Sequence, residues 1–549
     1  MASSEVSARE SSGEPGKLFI RQTSGLVREL GIPAAVGISL ASVAVVNTFI
    51  NFNAGLTSFP KSDMLLPLFA AAFIWLVAMF AYRYLLQAIP RAGGEYVYLS
   101  RVVSPVVGSV AGLGIAVVFT YILSTNAHFA AQFTPFMLSG FGQVFHSSTL
   151  TNAASTVTST GWIFGISLIV MVVVALLSLS SVKLVARIIF GLIVLQVVAF
   201  VVLMIVLAAS SRSGFASSLA TFSNHPNAYQ AILSAGKANG VAIGSSVASM
   251  VAIIPFMVLN YNGVLYSYYV GGELRRPNRT YLYASVVSLV VLLVLWGGVW
   301  ALLRTKVGLP FMQSQANLGA SFPTAYGKVT SLSSVSGGLG YGMILTSNPI
   351  ARLLFATAVP LAEIAVNLAF VTVTTRVLFA QAFDRLLPVS VAKVGERNHA
   401  PNVAIAIVLV VGAGFCWITS YVKTLSNIVA LQSLFFALIL LAGGVAATFL
   451  AWRRPDLLMS ETGAGSAEAR QAFLRKVTIV GVTTTVLALF TIFEIVSHTS
   501  VYGKFSAESI ITMLIVLGAG PVIYLIARAI RRQRDSLDLS LAMHELPPE

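Results

Sequence analysis

Twelve stretches of mostly apolar residues, each of about 20 residues or more, run through this chain of 549 residues. A helix of about 20 apolar residues spans the hydrocarbon core of a bilayer. Continuous apolar runs such as 171–177 and 290–295 lack the alternation of a transmembrane β-strand. The sequence therefore predicts an all-α membrane protein with twelve transmembrane helices near residues 33–59, 64–89, 106–134, 161–179, 182–209, 243–271, 281–303, 352–383, 402–421, 426–452, 475–497 and 508–530.

Charged residues are scarce, and the basic ones alternate in density along the chain. They make up 10% of the chain, against about a quarter in a soluble domain, which excludes an ordinary soluble protein. Of 34 Lys and Arg residues, 25 fall in the terminal segments and every second loop, and 9 fall elsewhere. Because cytoplasmic loops retain Lys and Arg, both termini are predicted to be cytoplasmic. The net charge of +15 then reflects orientation in the bilayer, and no nucleic-acid partner is expected.

The helix pattern divides the chain into a large core and shorter flanking parts. Charged residues in the first 30 positions interrupt any long apolar run, so no cleavable signal peptide is expected there. The segments near 135–160, 210–242 and 304–350 are rich in Ser, Thr, Asn and Gly and are predicted to be external loops. The predicted parts are a cytoplasmic segment at 1–30, a transporter core at 31–452, a cytoplasmic loop at 453–474, two further helices at 475–530 and a cytoplasmic tail at 531–549.

Sequence motifs for enzymatic chemistry are missing. No Gly-Lys pair has the upstream glycine and downstream Ser or Thr of a phosphate-binding loop. The six histidines are scattered, and Cys416 is the single cysteine, so neither a disulfide framework nor a clustered metal site is indicated. We therefore predict no enzyme activity, no cofactor and no metal.

Polar residues interrupt the first and sixth predicted helices at matching places. Asn47 and Asn260 are 213 residues apart, about five helices with their loops. Transporters commonly bind substrates where two helices in corresponding halves are broken at the bilayer midplane. Helices 1–5 and 6–10 are therefore predicted to form inverted repeats, although each Asn could instead bridge neighbouring helices. The two clusters contain Asn47, Thr48, Asn51, Asn53 and Gly55, and Pro255, Asn260, Tyr261, Asn262 and Gly263.

Three loop segments resemble those of a transporter superfamily. Residues 90–101 read PRAGGEYVYLSR and closely resemble the Pro-Arg-Ser-Gly-Gly-Glu-Tyr signature of amino acid-polyamine-organocation (APC) superfamily permeases. Residues 271–279 resemble the superfamily's segment after helix six, and residues 375–388 resemble its segment after helix eight. The resemblance covers about residues 25–450. We call residues 90–101 the signature segment.

The resemblance implies a LeuT-like 5+5 inverted repeat with discontinuous helices 1 and 6 and transport by alternating access. The substrate carboxylate would bind backbone amides of helix one, and the amine would bind carbonyls of helix six. The two break glycines of helix one are replaced within residues 45–49, which leaves polyamines and other amines open, whereas Gly263 matches the break glycine of helix six. The predicted substrate-binding residues are Val46, Asn47, Thr48, Asn51, Tyr121, Asn260, Tyr261, Asn262, Gly263 and Leu265.

A carboxylate inside a membrane helix suggests a coupling site, because its burial is costly. Glu363 lies in helix eight with Asn367 and Thr374 on the same face. A structural ion pair or a place in the outer vestibule is the alternative. Proton-coupled relatives carry a lysine in helix five where this chain has Gln196, which cannot titrate. Gln196 is predicted either to assist coupling or to satisfy a neighbouring backbone group.

Further polar residues in the helices have two interpretations each. Tyr121, Ser124, Thr125 and His128 share one face of helix three, which either lines the pathway or bonds to another helix. Glu494 and His498 in helix eleven are predicted to have a structural or interfacial role because they lie outside the repeats.

These features predict a secondary active transporter of amino acids or related amines in the plasma membrane. We favour proton coupling over a sodium-coupled symporter or an exchanger, and the protein is expected as a monomer or a homodimer. A nutrient sensor with a transporter fold but no net transport is the alternative from another class. A major-facilitator protein would instead carry a basic Gly-x-x-x-Asp-Arg motif after helix two.

Overall fold

The computed structural model describes residues 26, 28–329, 337–395, 400–422, 428–462, 466–502, 507–536 and 538–543. Regular structure in these ranges is helical, apart from two isolated β-bridges that join Leu30 to Leu274 and Ala92 to Val270. Most of the predicted N-terminal segment, and parts of the predicted loop at 453–474 and tail at 531–549, lie outside the described residues.

Twelve helices in the described ranges are long and apolar enough to span a membrane, as predicted. We number them span 1 to span 12. Their bounds are Ile32–Ser58, Leu65–Ala88, Pro105–Val144, Thr160–Ser178, Val182–Ala209, Val247–Tyr269, Pro277–Ser321, Pro349–Phe383, Asn402–Tyr421, Gln432–Arg453, Ala467–Ser497 and Met513–Asp535. Spans 3 and 7 continue well beyond their predicted C-terminal ends, at 134 and 303. The added residues are helical but more polar than the predicted spans, so hydropathy did not include them.

Span 1 contains two α-helices, Ile32–Val43 and Thr48–Ser58. Between them Ala44 has a left-handed backbone (φ +54°) and a 3-10 turn covers Val45–Asn47. A left-handed conformation is unfavourable for a residue with a Cβ, so the surrounding packing must hold Ala44 there.

Span 6 is also built from several short helices. Two α-helices, Val247–Ala252 and Ile254–Asn260, are followed by a 3-10 helix at Asn262–Tyr269. Pro255 lies at the start of the second helix, where its missing N–H interrupts the backbone ladder.

The connecting segments that were predicted as external loops contain helices. They include Ser148–Thr156, Arg212–Ser223, Ala228–Ala238 and Gly337–Leu345. Ser147 and Ser211 each accept a hydrogen bond from a backbone N–H in the first turn of such a helix. Serine is abundant in loops and is also a favoured N-cap, which is why composition alone suggested irregular structure here.

The spans differ in how deeply they are packed. In the most apolar part of spans 1 and 8, 72% of the residues are buried. The corresponding fraction is 22% in span 4 and 17% in span 12. Spans 1 and 8 therefore form the centre of the bundle, and the outer spans present Val, Ile and Leu side chains to the lipid.

Candidate functional site

A cavity of about 140 Å³ lies at the centre of the bundle, between spans 1, 3, 6, 8 and 10. Its described lining contains amides, hydroxyls and apolar groups but no charged side chain. The polar lining residues are Ser42, Asn47, Asn51, Thr125, Asn126, Asn260, Asn262 and Gln432. The apolar wall includes Ile122, Phe129, Phe256, Leu259, Phe370 and Phe436.

The two interrupted spans meet across this cavity through a pair of amides. Asn51 Nδ2 of span 1 donates to Asn260 Oδ1 of span 6. Asn260 Nδ2 in turn donates to the Phe256 carbonyl over 3.1 Å. These two asparagines therefore bridge helices, which is the alternative that the sequence had left open for them.

Four other amide atoms of the lining are buried and have no hydrogen-bond partner among the described residues. Two are acceptors, Asn47 Oδ1 of span 1 and Asn262 Oδ1 of span 6, and two are donors, Asn126 Nδ2 of span 3 and Gln432 Nε2 of span 10. Asn262 Nδ2 is already used by the Leu259 carbonyl at 2.6 Å, which fixes the orientation of that amide. Buried polar groups are normally satisfied, and a polar ligand in the cavity would supply partners for these four atoms.

Sequence analysis predicted only half of this amide set. Asn47 and Asn262 were candidates because each sits in the polar cluster of an interrupted helix, whereas Asn126 lies off the polar face predicted in helix three and Gln432 lies in a mostly apolar helix. The available signal was the cost of an amide inside a membrane helix, but periodicity alone does not tell which neighbour it faces.

The remaining predicted substrate-binding residues lie behind the cavity lining. Tyr261 packs against Trp296, with ring centroids 4.7 Å apart. Val46, Thr48 and Leu265 are buried in the core, and a Cβ on Gly263 would meet Ser42 of span 1. These residues do not line the cavity themselves and lie in the core around it.

The predicted polar face of span 3 divides between two neighbours. Thr125 lines the cavity. The Tyr121 ring contacts Phe415 of span 9 edge to face, with centroids 5.7 Å apart. Ser124 bonds to Thr419 of span 9 over 3.2 Å and His128 approaches Ser420 at 3.5 Å, so most of this face contacts span 9.

A second set of unpartnered polar atoms lies in spans 1, 5 and 8, which pack against one another. Glu363 and Asn367 are fully buried, and none of their side-chain oxygens and nitrogens has a hydrogen-bond partner within the described chain. Asn47 is the side chain that approaches Glu363, which links this set to the cavity. Gln196 Nε2 donates to the Leu192 carbonyl at 3.4 Å, and its Oε1 has no described partner.

Comparison with known proteins decides the family. The family model described as amino acid permease matches residues 30–519, nearly the whole chain and all spans up to the start of span 12. The chain belongs to the amino acid permease family of the APC superfamily. The permease is thus a multi-pass membrane protein of a family that transports amino acids or amines, and the family indicates a transporter rather than an enzyme. A search of curated proteins finds no match to the chain.

The signature segment of this permease is buried from Ala92 onward, and its second half is helical. A helix covers Glu95–Val102 after Gly93 and Gly94, which have φ of +115° and +56°. The Gly93 N–H donates to the Tyr269 carbonyl over 3.1 Å. The Leu30 N–H likewise donates to the Glu273 carbonyl at 2.9 Å. Leu30, the signature segment, Glu273 and Asp384 lie together on one face of the permease. We call this face the signature end.

Two buried ion pairs hold the signature end together. Arg376 of span 8 donates to both carboxylate oxygens of Glu273, at 2.8 and 2.9 Å. Arg101 donates to Asp384 over 2.7 Å, and the Tyr96 hydroxyl donates to the same carboxylate at 2.9 Å. Bidentate geometry and a second donor are what a buried carboxylate needs to offset its desolvation.

Glu494 of span 11 has an ordinary structural partner. Its carboxylate lies 3.4 Å from His498 Nδ1, one helical turn away. This geometry agrees with the structural role predicted for the two residues.

Proposed function

We propose that this permease is a secondary active transporter of small, zwitterionic amino acids. The observation that carries the proposal is the set of four unpartnered amide atoms around one uncharged cavity. Two acceptors suit an ammonium group and two donors suit a carboxylate, so the set matches the backbone of an α-amino acid.

The size and charge of the cavity narrow the substrate class. A cavity of about 150 Å³ in another protein holds benzene, so 140 Å³ suits a ligand of about six to eight heavy atoms. A polyamine would place several cations against a described lining that has no carboxylate, and a buried charge without a partner is costly. The cavity therefore favours alanine-like or serine-like substrates over polyamines.

Two tryptophans support the proposed 5+5 inverted repeat with discontinuous spans 1 and 6. Trp296 Nε1 of span 7 donates to the Val45 carbonyl of span 1 over 2.9 Å. Trp75 Nε1 of span 2 donates to the Val258 carbonyl of span 6, also at 2.9 Å. In an inverted repeat span 1 corresponds to span 6 and span 2 to span 7, so the two contacts are equivalent. Each indole satisfies a carbonyl that the interrupted helix leaves free, as expected for a LeuT-like transporter.

The proposed transport cycle is alternating access across the plasma membrane. The excess of Lys and Arg in alternate loops supports a cytoplasmic signature end and cytoplasmic termini. The proposed parts remain a cytoplasmic segment at 1–30, a core at 31–452, a loop at 453–474, two helices at 475–530 and a tail at 531–549.

Substrate recognition is tested by removing the four amides one at a time. A hydrogen bond to a charged group contributes about 1.5–3 kcal/mol, so Asn47→Ala, Asn262→Ala, Asn126→Ala and Gln432→Ala should each raise the Kd of a bound small amino acid at least about tenfold. Asn126→Ala and Gln432→Ala should leave the weak binding of a simple primary amine unchanged, because it has no carboxylate. Isothermal titration with purified permease measures both.

The control for these variants is Asn227→Ala, at an exposed position outside the cavity. Unchanged affinity for amino acids in all four cavity variants would contradict the proposed site. Binding without counterflow in proteoliposomes would favour the sensor over the transporter.

Proton coupling is proposed to use Glu363, because its carboxylate is fully buried and has no cationic partner among the described residues. Glu363→Gln keeps the shape but cannot exchange a proton. We expect Glu363→Gln to retain counterflow and to lose concentrative uptake driven by an inward proton gradient. Uptake of labelled amino acid into proteoliposomes with and without that gradient measures the difference.

The matched control is Glu494→Gln, which changes the membrane-embedded acid that His498 partners and should keep gradient-driven uptake. If Glu363→Gln still concentrates substrate in response to the proton gradient, Glu363 does not carry the coupling proton. Dependence on a sodium gradient instead would favour the sodium-coupled alternative.

A further inference from the structure

Glu95, in the signature segment, is a third buried carboxylate at the signature end. Its relative exposure is 1%. Glu273 and Asp384 each bind an arginine, but no Lys, Arg or His pairs with Glu95 in the part of the chain that the structure describes. Its side-chain partners are tyrosine hydroxyls, and those of Tyr82 and Tyr268 both bond to its Oε1.

The hydrogen bonds around Glu95 indicate where a proton fits. The Tyr82 hydroxyl lies 2.7 Å from Glu95 Oε1 and 3.0 Å from the Ile439 carbonyl of span 10. A tyrosine has one O–H to donate, and both of these neighbours are acceptors when Glu95 is ionised. A proton on Glu95 Oε1 removes the conflict, because Glu95 then donates to Tyr82 and Tyr82 donates to Ile439.

The Tyr268 hydroxyl fits the same arrangement. It lies against Glu95 Oε1 and donates to it whether or not that oxygen carries a proton, because a carboxyl oxygen retains acceptor capacity. With a proton on Glu95, each of the contacts among Glu95, Tyr82, Tyr268 and the Ile439 carbonyl has one donor and one acceptor.

We propose that Glu95 is a proton-binding site that holds the signature end closed and releases its proton when that end opens. The carboxyl connects span 2 through Tyr82, span 6 through Tyr268 and span 10 through the Tyr82 contact with Ile439. Opening the signature end would separate these elements and hydrate the carboxyl, which favours its ionised form. This inference rests on the alternating access proposed above.

The other groups that face Glu95 do not supply a compensating charge. Arg101 on the same helix forms an ion pair with Asp384, and Arg376 of span 8 forms one with Glu273. Span 10 contributes the Ile439 carbonyl. The titratable side chains that interact with Glu95 in the described structure are Tyr82 of span 2, Tyr98 of its own helix, Tyr266, Tyr268 and Tyr269 of span 6, and Tyr281 of span 7.

The sign of the pH effect follows from burial. Burial raises the pKa of the Glu95 carboxyl above its ordinary range, although the tyrosine hydroxyls partly offset this. A carboxyl with a raised pKa in the closed state binds a proton more tightly there than in a hydrated, open state. Protonation therefore stabilises the closed state at low pH, and this stabilisation is lost as pH rises through the raised pKa. One linked proton changes the ratio of open to closed by at most about tenfold per pH unit.

Glu95 is connected to the cavity indirectly, through Tyr82 and span 10. Gln432 and Phe436 line the cavity, and Ile439 follows Gln432 by two turns of the same helix. A change in the Tyr82 contact with Ile439 therefore acts on the helix that supplies one of the proposed carboxylate donors. Protonation of Glu95 would thus couple the closing of the signature end to the position of span 10 at the substrate site.

The test measures the opening of the signature end directly by pulsed electron paramagnetic resonance. Two spin labels at Arg276→Cys and Ser390→Cys, both exposed positions, are introduced together with Cys416→Ser, which removes the single native cysteine. In otherwise unchanged permease in nanodiscs, the fraction of longer distances should rise several-fold from about pH 5 to about pH 8.

Glu95→Gln should keep the short distance across this pH range, because its amide donates to Tyr82 as the protonated acid does. Tyr82→Phe is a second variant that removes one of the hydroxyls that offset the effect of burial on the pKa of Glu95, so it should keep the pH dependence and move its midpoint to higher pH. The matched control Glu273→Gln weakens a carboxylate that Arg376 partners. It should increase the longer distances at every pH and retain the pH dependence.

Two outcomes overturn the inference for different reasons. If Glu95→Gln keeps the parent's pH dependence, another group senses the proton. If no longer distance appears at any pH, with or without a saturating small amino acid, the signature end does not open, and alternating access fails together with this inference.

Discussion

Replacing Arg376 with methionine is expected to lower the free energy of unfolding by about 3–5 kcal/mol. The guanidinium is 3% exposed and binds both oxygens of Glu273, which is 2% exposed. Without Arg376 the Glu273 carboxylate is buried with no counter-charge, and this uncompensated charge costs more than the ion pair itself contributes. Thermal and denaturant unfolding of the purified permease, followed by tryptophan fluorescence, measures the loss.

The double variant Glu273→Met with Arg376→Met separates the charge from the packing. It replaces the pair with apolar side chains of similar volume and should recover most of the lost stability. Lys183→Met is the matched control, because Lys183 pairs with Glu29 over 2.9 Å while its side chain is 53% exposed. An exposed pair contributes about 0–1 kcal/mol. A loss below about 1 kcal/mol for Arg376→Met would contradict the role assigned to this buried pair.

The pairing of the buried arginines with their carboxylates could not be predicted from the sequence. Glu273 and Arg376 are 103 residues apart, and Arg101 and Asp384 are 283 residues apart. Both pairs lie in segments recognised from the sequence, but recognition of the segments did not indicate which acid would meet which base. The same limit applies to Glu95, whose lack of an arginine is visible only once the other two acids have theirs.

The spans were predictable because hydrocarbon thickness imposes one length and one composition on every spanning helix. The connecting helices were not, because their stability comes from caps such as Ser147 and from packing rather than from an apolar run. In the cavity, clustered polar residues such as Asn47 and Asn262 stood out from their helices. Asn126 and Gln432 did not, since the direction that each side chain faces depends on the tertiary packing of spans 3 and 10.

Gly263 shows the difference between a conformational and a packing reason for glycine. Its match to a break glycine suggested an unwound backbone, but its φ is not positive in the structure. Instead a Cβ at this position would lie 2.5 Å from Ser42 Cβ and 2.7 Å from Ser42 O. Spans 1 and 6 therefore approach each other here more closely than a side chain allows, beside the cavity that Ser42 lines.

Gly263→Ala is accordingly expected to destabilise the permease by about 1–3 kcal/mol or more and to reduce amino acid uptake strongly. The added methyl group meets backbone atoms of span 1, which must shift and carry Ser42 and the cavity wall with them. Gly297→Ala is the matched control, because a Cβ there meets nothing within 4 Å and alanine favours a helix by up to about 1 kcal/mol. Unfolding and proteoliposome uptake of the two variants measure both effects.

Combining Gly263→Ala with Ser42→Gly provides a graded check of this packing argument. The second substitution removes the Ser42 Cβ but leaves the Ser42 backbone carbon and oxygen in place, so recovery should be partial. Full recovery of stability in the double variant would show that the Ser42 side chain alone limits how closely the two spans approach. Normal stability and uptake in Gly263→Ala itself would contradict the close contact. Partial recovery of stability and uptake would tie the shape of the cavity to the distance between the two interrupted spans.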